Sequence, residues 1–309
     1  MQALYSIRSE IQLCEQIGYN LLYRWFLDMN PSETVWTPEV FCMNRERFDR
    51  HGFVRDFFDR VVREGIIEGL ASQDHFSVDG SLIQSFASMK SLRPLGSRDT
   101  KVSDGSDDDD PSNPTVNFRN ERRGNKTHRS IVDPEARLMR KGEGKPAVLS
   151  HSLHLLMENR SGLCMDVSVD EANGTAERIE AGGMLDHVWK RHRVRPRTLG
   201  ADAGYRDGKF LAVVEQALIV PHVPVGDGAI VGEDPGAEAR RRARRRAKSK
   251  GYGHSQRIRK RIEEIFGWCK MVGGLSRARF VGRWKIKLQS QITAAAYNLL
   301  RLARLRPAV

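Results

Sequence analysis

Three acidic residues stand in surroundings that suit chemistry on phosphate. Asp79 falls in His75-Phe76-Ser77-Val78-Asp79-Gly80-Ser81 and Asp202 in Ala201-Asp202-Ala203-Gly204-Tyr205, each a strand pattern that ends in an acid and a glycine. Glu263 lies in the stretch Arg257 to Lys270, where Arg259, Glu263, Gly267 and Lys270 recur at four- and three-residue steps and so share one stripe of a helix. Carboxylates gathered at one point repel each other unless cations neutralise them. Oxygen donors of this kind suit Mg²⁺, with Mn²⁺ as a substitute. Two such ions bridged by carboxylates make a phosphoryl-transfer centre, in which one activates water or a 3′ hydroxyl and the other stabilises the leaving oxygen. Asp79, Asp202 and Glu263 are therefore the candidate catalytic residues and metal ligands. Arg259 and Lys270, on the stripe of Glu263, are candidates for the scissile or adjacent phosphate through charge-assisted bonds. Each motif alone is also an ordinary turn or a solvated helix face, and only convergence makes a site of them.

Convergence needs strands that end at one place and a helix docked across them. Ile258, Ile262, Ile265, Phe266 and Cys269 supply an apolar side and predict one helix over 257–270. Strand patterns occur at 75–81, 147–158, 162–169, 195–201 and 218–223, with a hairpin turn at Asn159-Arg160-Ser161-Gly162. Helical patterns occur at 175–189 (Ile179, Met184, Leu185 and Val188 inward), 209–217 and 289–306. The mixture predicts an α/β sheet with helices packed on it, a class that builds ligand sites where strands end in turns. Residues 1–70 read as wholly helical. Leu4, Ile7, Ile11, Cys14, Ile17 and Leu21 make one apolar stripe up to Asn30-Pro31, a second helix opens at Thr37-Pro38, and a third carries Phe57, Val61, Ile66 and Ile67. Met1 falls inside the first of these periodic stretches with no cap before it. The expected division is a small helical N-terminal domain, 1–70, and a second domain, 71–309. A polar, partly flexible excursion at about 90–145 carries the acidic run Asp107 to Asp110, read as a solvated linker.

Charge narrows the partners. Lys and Arg number 51 against 39 Asp and Glu, a net charge of +12, which favours a polyanion such as nucleic acid. The densest segment, Arg240 to Lys250, includes Arg241, Arg242, Arg244 and Arg245, expected to follow DNA backbone in a salt-sensitive, sequence-blind way. Four scattered cysteines with no C-x-x-C argue against a zinc ribbon or disulfide scaffold and fit a reducing cytoplasm. No apolar run reaches membrane-spanning length and no signal pattern opens the chain, so a membrane location is not expected. His151 and His154 would point to opposite faces of an alternating strand, which argues against a shared zinc. Trp268 and Trp284 are expected in core packing rather than on flipped bases.

Taken in order, these blocks resemble the DDE transposases of bacterial insertion sequences, in the insertion-sequence-five group. The resemblance runs through Leu4 to Glu10 and Tyr19 to Phe26, Asp79 to Ser88, Asn125 to His128, Met157 to Gly162, Ala201 to Tyr205, and Arg261 to Lys270. It implies a ribonuclease-H-like catalytic core, Mg²⁺-dependent strand cleavage and transfer, and Glu263 rather than Glu264 as the third acid. It also implies double-stranded DNA partners (terminal inverted repeats and target DNA), a homodimer or higher oligomer on DNA, and a cytoplasmic, nucleoid-associated protein. Arg259, Glu263 and Lys270 match the related Y-x2-R-x3-E-x6-K signature, whereas its tyrosine position holds Gln256. Relatives carry residues before the Leu4 block, so the chain is expected to be N-terminally shortened. The alternative readings are an inactive remnant that still binds transposon DNA and, more weakly, a general nuclease of the same fold.

Overall fold

The computed structural model describes residues 1–95, 116–118, 121–142, 144–174 and 176–306. The acidic run Asp107 to Asp110 lies outside the described residues.

A six-stranded sheet is built on two long strands, β1 (His75–Gln84) and β7 (Ala147–Glu158), paired antiparallel from Phe76 opposite Glu158 to Gln84 opposite Ser150. The far edge of β7 is shared: β8 (Cys164–Glu171) runs along its second part and β6 (Arg137–Arg140) along its first. On the other side β9 (Thr198–Gly200) joins β1 in parallel, and β10 (Val220–His222) joins β9. Outside this sheet β2 (Leu92–Pro94) pairs with β5 (His128–Ser130), and β3 (Val116–Phe118) with β4 (Glu121–Arg123). β9 is short. It pairs with His75, Phe76 and Ser77 only, so β1 outruns it by several residues, up to an isolated bridge between Gln84 and Arg277. Asp79 thus sits in mid-strand opposite Leu155, not at a strand end, and what ends beside it is the neighbouring strand. Asp202 does follow a strand end, two residues beyond β9.

The hairpin between β7 and β8 turns at Gly162, whose φ of +77° suits glycine. Its buried Glu158 accepts from Ser72 Oγ at 2.6 Å and from the amides of Arg160 and Ser161 at 2.9 and 2.8 Å, so the carboxylate replaces missing ladder bonds. A crossover helix, α5 (Ala176–His192), packs on β7 and β8, and its buried residues include Met184, Leu185 and Val188, while Ile179 faces solvent. α6 (Gly208–Gln216) and α7 (Pro235–Arg246) pack together beside β10. α7 makes the basic segment helical: Asp234 caps it, and Ala237, Ala239 and Ala243 are buried along one side.

The opening stretch is not one long helix. α1 (Glu10–Tyr19) begins after Ser9, whose Oγ accepts from the Gln12 amide, and α2 (Leu21–Phe26) begins after Asn20, whose Oδ1 accepts from the Leu22 amide. The two side-chain caps divide the periodic pattern. Ile7, Leu13, Ile17 and Tyr23 form the small buried cluster, whereas Ile11 and Leu21, both on the expected stripe, are 61 and 68% exposed. α3 (Glu39–Arg50) follows, then α4 (Phe53–Ile67), which buries Phe58, Val61 and Val62 in the main core and leaves Phe57 and Ile67 outside.

The expected 257–270 helix is also two: α8 (Lys250–Arg259) and α9 (Ile262–Met271), separated at Lys260 and Arg261. The apolar residues of α9 are buried as expected, against β1 and the long α10 (Arg283–Leu305). α10 docks on β8 through Asn298, whose side chain bonds both the amide and the carbonyl of Cys164 at 2.8 Å.

Candidate active site

β1 alternates its side chains between two faces. Along the odd-numbered face, His75 lies 3.2 Å from Ser255, Ser77 bonds Asn159 at 2.8 Å, Asp79 meets Arg259 and Ser81 meets Lys270. The partners Ser255, Arg259 and Lys270 belong to α8 and α9, so the two-residue period of the strand is matched along the two helices. Asn159 reinforces the match by donating to the Ile258 carbonyl at 3.1 Å, near the end of α8. Gln256 anchors α8 from the other direction, donating to the carbonyls of His222 at 2.7 Å and Ala201 at 3.3 Å.

This frame brings Asp202, Glu263 and Arg259 within electrostatic reach of Asp79. Burial first, with the carboxylates of Asp202 and Glu263 adding to it, raises Asp79 from its ordinary 3.8 to about 6, against the opposing pull of the Gly80 amide and Arg259. The Gly80 amide donates to Asp79 Oδ1 at 2.8 Å, and Arg259 Nη1 lies 3.4 Å from Oδ2. Asp202 caps a short 3-10 turn, Ala203–Tyr205, accepting from the Gly204 amide at 2.8 Å. Glu263 stands exposed in the first turn of α9. Lys270, in the last turn, donates to Ser81 Oγ at 2.5 Å, and burial lowers its pKa.

Two residues to which the sequence reading gives no role line the same place. Glu177, in the first turn of α5, approaches both glycines beside the aspartates: a Cβ on Gly80 would lie 2.8 Å from its Oε1, and one on Gly204 would lie 3.2 Å from its Oε2. Tyr205 is fully buried, and its Oη has no hydrogen-bond partner among the described residues. Burial, then Glu177, Asp79 and Asp202, push its phenol well above the usual range, with Arg259 working the other way. No spacing in the sequence marks Glu177. The only hint is an acid at a helix start after a hairpin, which also suits the helix dipole.

The donor set is all oxygen and anionic, the chemistry a hard divalent cation takes. Among the described residues no three His, Cys, Asp or Glu side chains already converge as a metal-binding group. The guanidinium of Arg259 meets Asp79 instead. Three of the basic residues expected on DNA have contacts within the fold. Arg242 pairs with Glu215 at 2.6 Å, while Arg241 and Arg244 donate to carbonyls of the 226–232 loop, Arg241 to Gly232 at 2.6 Å and Arg244 to Gly228 at 2.5 Å. Arg245 points into solvent. His151 turns to Asp133 at 2.9 Å and His154 to the Gly80 side, so the two do not meet. Trp268 packs edge-on against Tyr297. All four cysteines are free, and no helix of the described residues is long and apolar enough to cross a membrane.

Two families match the chain. One, described as "Transposase DDE domain", covers residues 126–299, more than half of the length, and includes Asp202 and Glu263. The other, "Transposase domain (DUF772)", covers residues 1–47. Asp79 falls between the two stretches. No curated protein and no solved structure matches significantly.

Proposed function

The chain belongs to the transposase DDE domain family, and from that membership we propose that it cuts DNA at the ends of an insertion sequence and joins the freed 3′ ends to target DNA, with Mg²⁺ as the cofactor. The observation that carries this reading is the electrostatic coupling of Asp79 to Asp202, Glu263 and Arg259 beside the end of β9. The strand arrangement supports a ribonuclease-H-like core: an antiparallel trio, β8, β7 and β1, extended by two parallel strands on the far side of β1. Residues 1–70 are the DNA-binding or dimerising part in this reading, and 71–309 the catalytic part. α4 packs across that division. The insertion-sequence-five group is the subgroup we propose, on the blocks quoted above.

Asp79, Asp202 and Glu263 would hold the cation. A cation held there would supply activation of the attacking water or 3′ hydroxyl and stabilisation of the departing oxygen. Asp79, half protonated near pH 6, gives up its proton when it becomes a ligand, so binding tightens as pH rises through that value. Arg259 contacts Asp79 at a long 3.4 Å and is available to exchange that contact for a phosphate oxygen. Lys270 adds a second positive charge in the last turn of α9 and is steadied by Ser81. Of Arg241, Arg242, Arg244 and Arg245, Arg245 alone is exposed, which leaves it available for backbone contact.

The test is cleavage of a duplex carrying the element end, with Mg²⁺, by the wild type and by Asp202→Ala. Nicking by the wild type alone supports the reading. If both proteins retard the duplex and neither nicks it, the chain binds transposon DNA without cutting, a second reading favoured by the absence of a preassembled ligand group among the described residues.

A further inference from the structure

We propose that Glu177 is a fourth carboxylate of this centre, reaching the cation from the opposite side of the sheet; the inference rests on the cation-binding reading above. Asp79 points to the face covered by α8 and α9, while Gly80, the next residue, points to the face covered by α5. Ordinarily a sheet separates the two faces. Here β9 stops level with Ser77, so beyond that level β1 is the last strand and its edge is open between them.

Glycine at two positions keeps the passage wide enough. A methyl group on Gly80 would stand 2.8 Å from Glu177 Oε1 and 3.3 Å from His154 Nδ1. A methyl group on Gly204 would stand 3.0 Å from Asp202 Oδ1 and 3.2 Å from Glu177 Oε2. One carboxylate therefore spans from the residue after Asp79 to the turn that Asp202 caps. Neither glycine has a positive φ, so backbone conformation does not explain them; space for the carboxylates does.

An independent observation concerns buried polar atoms. Tyr205 and His154 are both 0% exposed, and among the described residues Tyr205 Oη and both ring nitrogens of His154 have no hydrogen-bond partner. Tyr205 interacts with Glu177, Asp79 and Asp202, and His154 Nδ1 lies beside the same Gly80 that Glu177 covers. A buried donor or acceptor left unpaired costs about 1–3 kcal/mol. Such atoms grouped around a carboxylate fit a hydrated cation, whose coordinated waters offer bonds to a phenol and an imidazole at once. Glu177 adds negative charge to the ligand set, and Tyr205 and His154 wall the side from which it enters.

Mn²⁺ alone is the probe, with bound ion read from the loss of the free-ion electron paramagnetic resonance signal at pH 7.5. Wild type, Glu177→Gln, Asp202→Asn and Gly204→Ala are compared, each checked for native circular dichroism. Gly204→Ala is the supporting variant: it leaves both carboxylates in place and crowds Glu177 together with Asp202 in an exposed turn, so Glu177→Gln decides the role of Glu177. Glu177→Gln is expected to weaken Mn²⁺ binding about 10-fold or more, as loss of supporting groups around a metal does, and Gly204→Ala to weaken it in the same direction. Wild-type affinity in Glu177→Gln, with binding lost in Asp202→Asn, overturns the role of Glu177 and leaves the cation reading standing. Absence of Mn²⁺ binding by the wild type overturns both.

Discussion

Asp79→Asn should make the cation-free protein more stable at neutral pH. Asp79 titrates at about 6 in the folded chain against an ordinary 3.8, so the folded state resists its ionisation. Below pH 3.8 the group is protonated in both states and the wild type pays nothing. Between 3.8 and about 6 the unfolded chain releases the proton first, and stability falls. Above about 6 the full cost is present, on the order of 3 kcal/mol from the size of the shift. Asparagine keeps an oxygen for the Gly80 amide, which donates at 2.8 Å, and never ionises. Urea denaturation in EDTA at pH 7.5 should therefore place Asp79→Asn ahead by up to about 3 kcal/mol, or roughly 5 °C in a melt. At pH 4 the gap should shrink to about 0.5 kcal/mol. Adding Mn²⁺ at pH 7.5 should reverse the order, since the wild type gains a ligand that the variant lacks. A variant no more stable than the wild type at pH 7.5, or an advantage that persists undiminished at pH 4, would refute the argument that burial and neighbouring acids disfavour this carboxylate.

Asn298→Ala should destabilise the protein by about 2–4 kcal/mol in urea titration, because it strips the amide and carbonyl of Cys164 of their partner; a loss under about 1 kcal/mol would mean that α10 docks by apolar contact alone. Gly273→Ala would place a methyl 2.2 Å from Thr293 Cγ2 and 2.8 Å from the Cys269 carbonyl, and an overpacking cost of about 1–3 kcal/mol or more is expected in the same assay. Arg245→Ala should lower DNA affinity and reduce the slope of log affinity against log salt by about one, while Arg242→Ala should chiefly lower thermal stability by breaking the contact with Glu215; equal salt slopes in the two variants would contradict the division of labour. Asn159→Ala should reduce cleavage more than Mn²⁺ binding, since it loosens the end of α8 and hence Arg259 without touching an acid; a parallel fall in both would count against a positioning role.

Much of residues 71–309 could be read from local pattern. β7 spans 147–158 as its alternation suggests, the hairpin turns where Asn159 to Gly162 stand, and the buried side of α9 is the one its spacing marks. The failures have separate causes. Periodicity records which residues are apolar but not where a short side chain ends a helix, so Ser9 and Asn20 divided a stripe that looked continuous. Asp79 was misread as a strand terminus because glycine usually marks one; here Gly80 stays in the ladder, opposite His154, and its lack of a side chain serves the α5 face instead. Arginine-rich composition predicted a DNA-facing segment, yet alanines at 237, 239 and 243 give α7 a buried side that turns several of those arginines toward Glu215 and the 226–232 loop. Glu177 was invisible because its neighbours in space come from β1 and the turn after β9, far away in the chain.

The interruption at Lys260 and Arg261 makes two independently mounted levers of what looked like a single rod. Arg259 travels with a lever moored to the carbonyls of Ala201 and His222, and Glu263 with one moored to α10. Drift in the first mooring can therefore move Arg259 while Glu263 keeps its station. The glutamine found where the signature has tyrosine sits on the first lever, at the mooring itself.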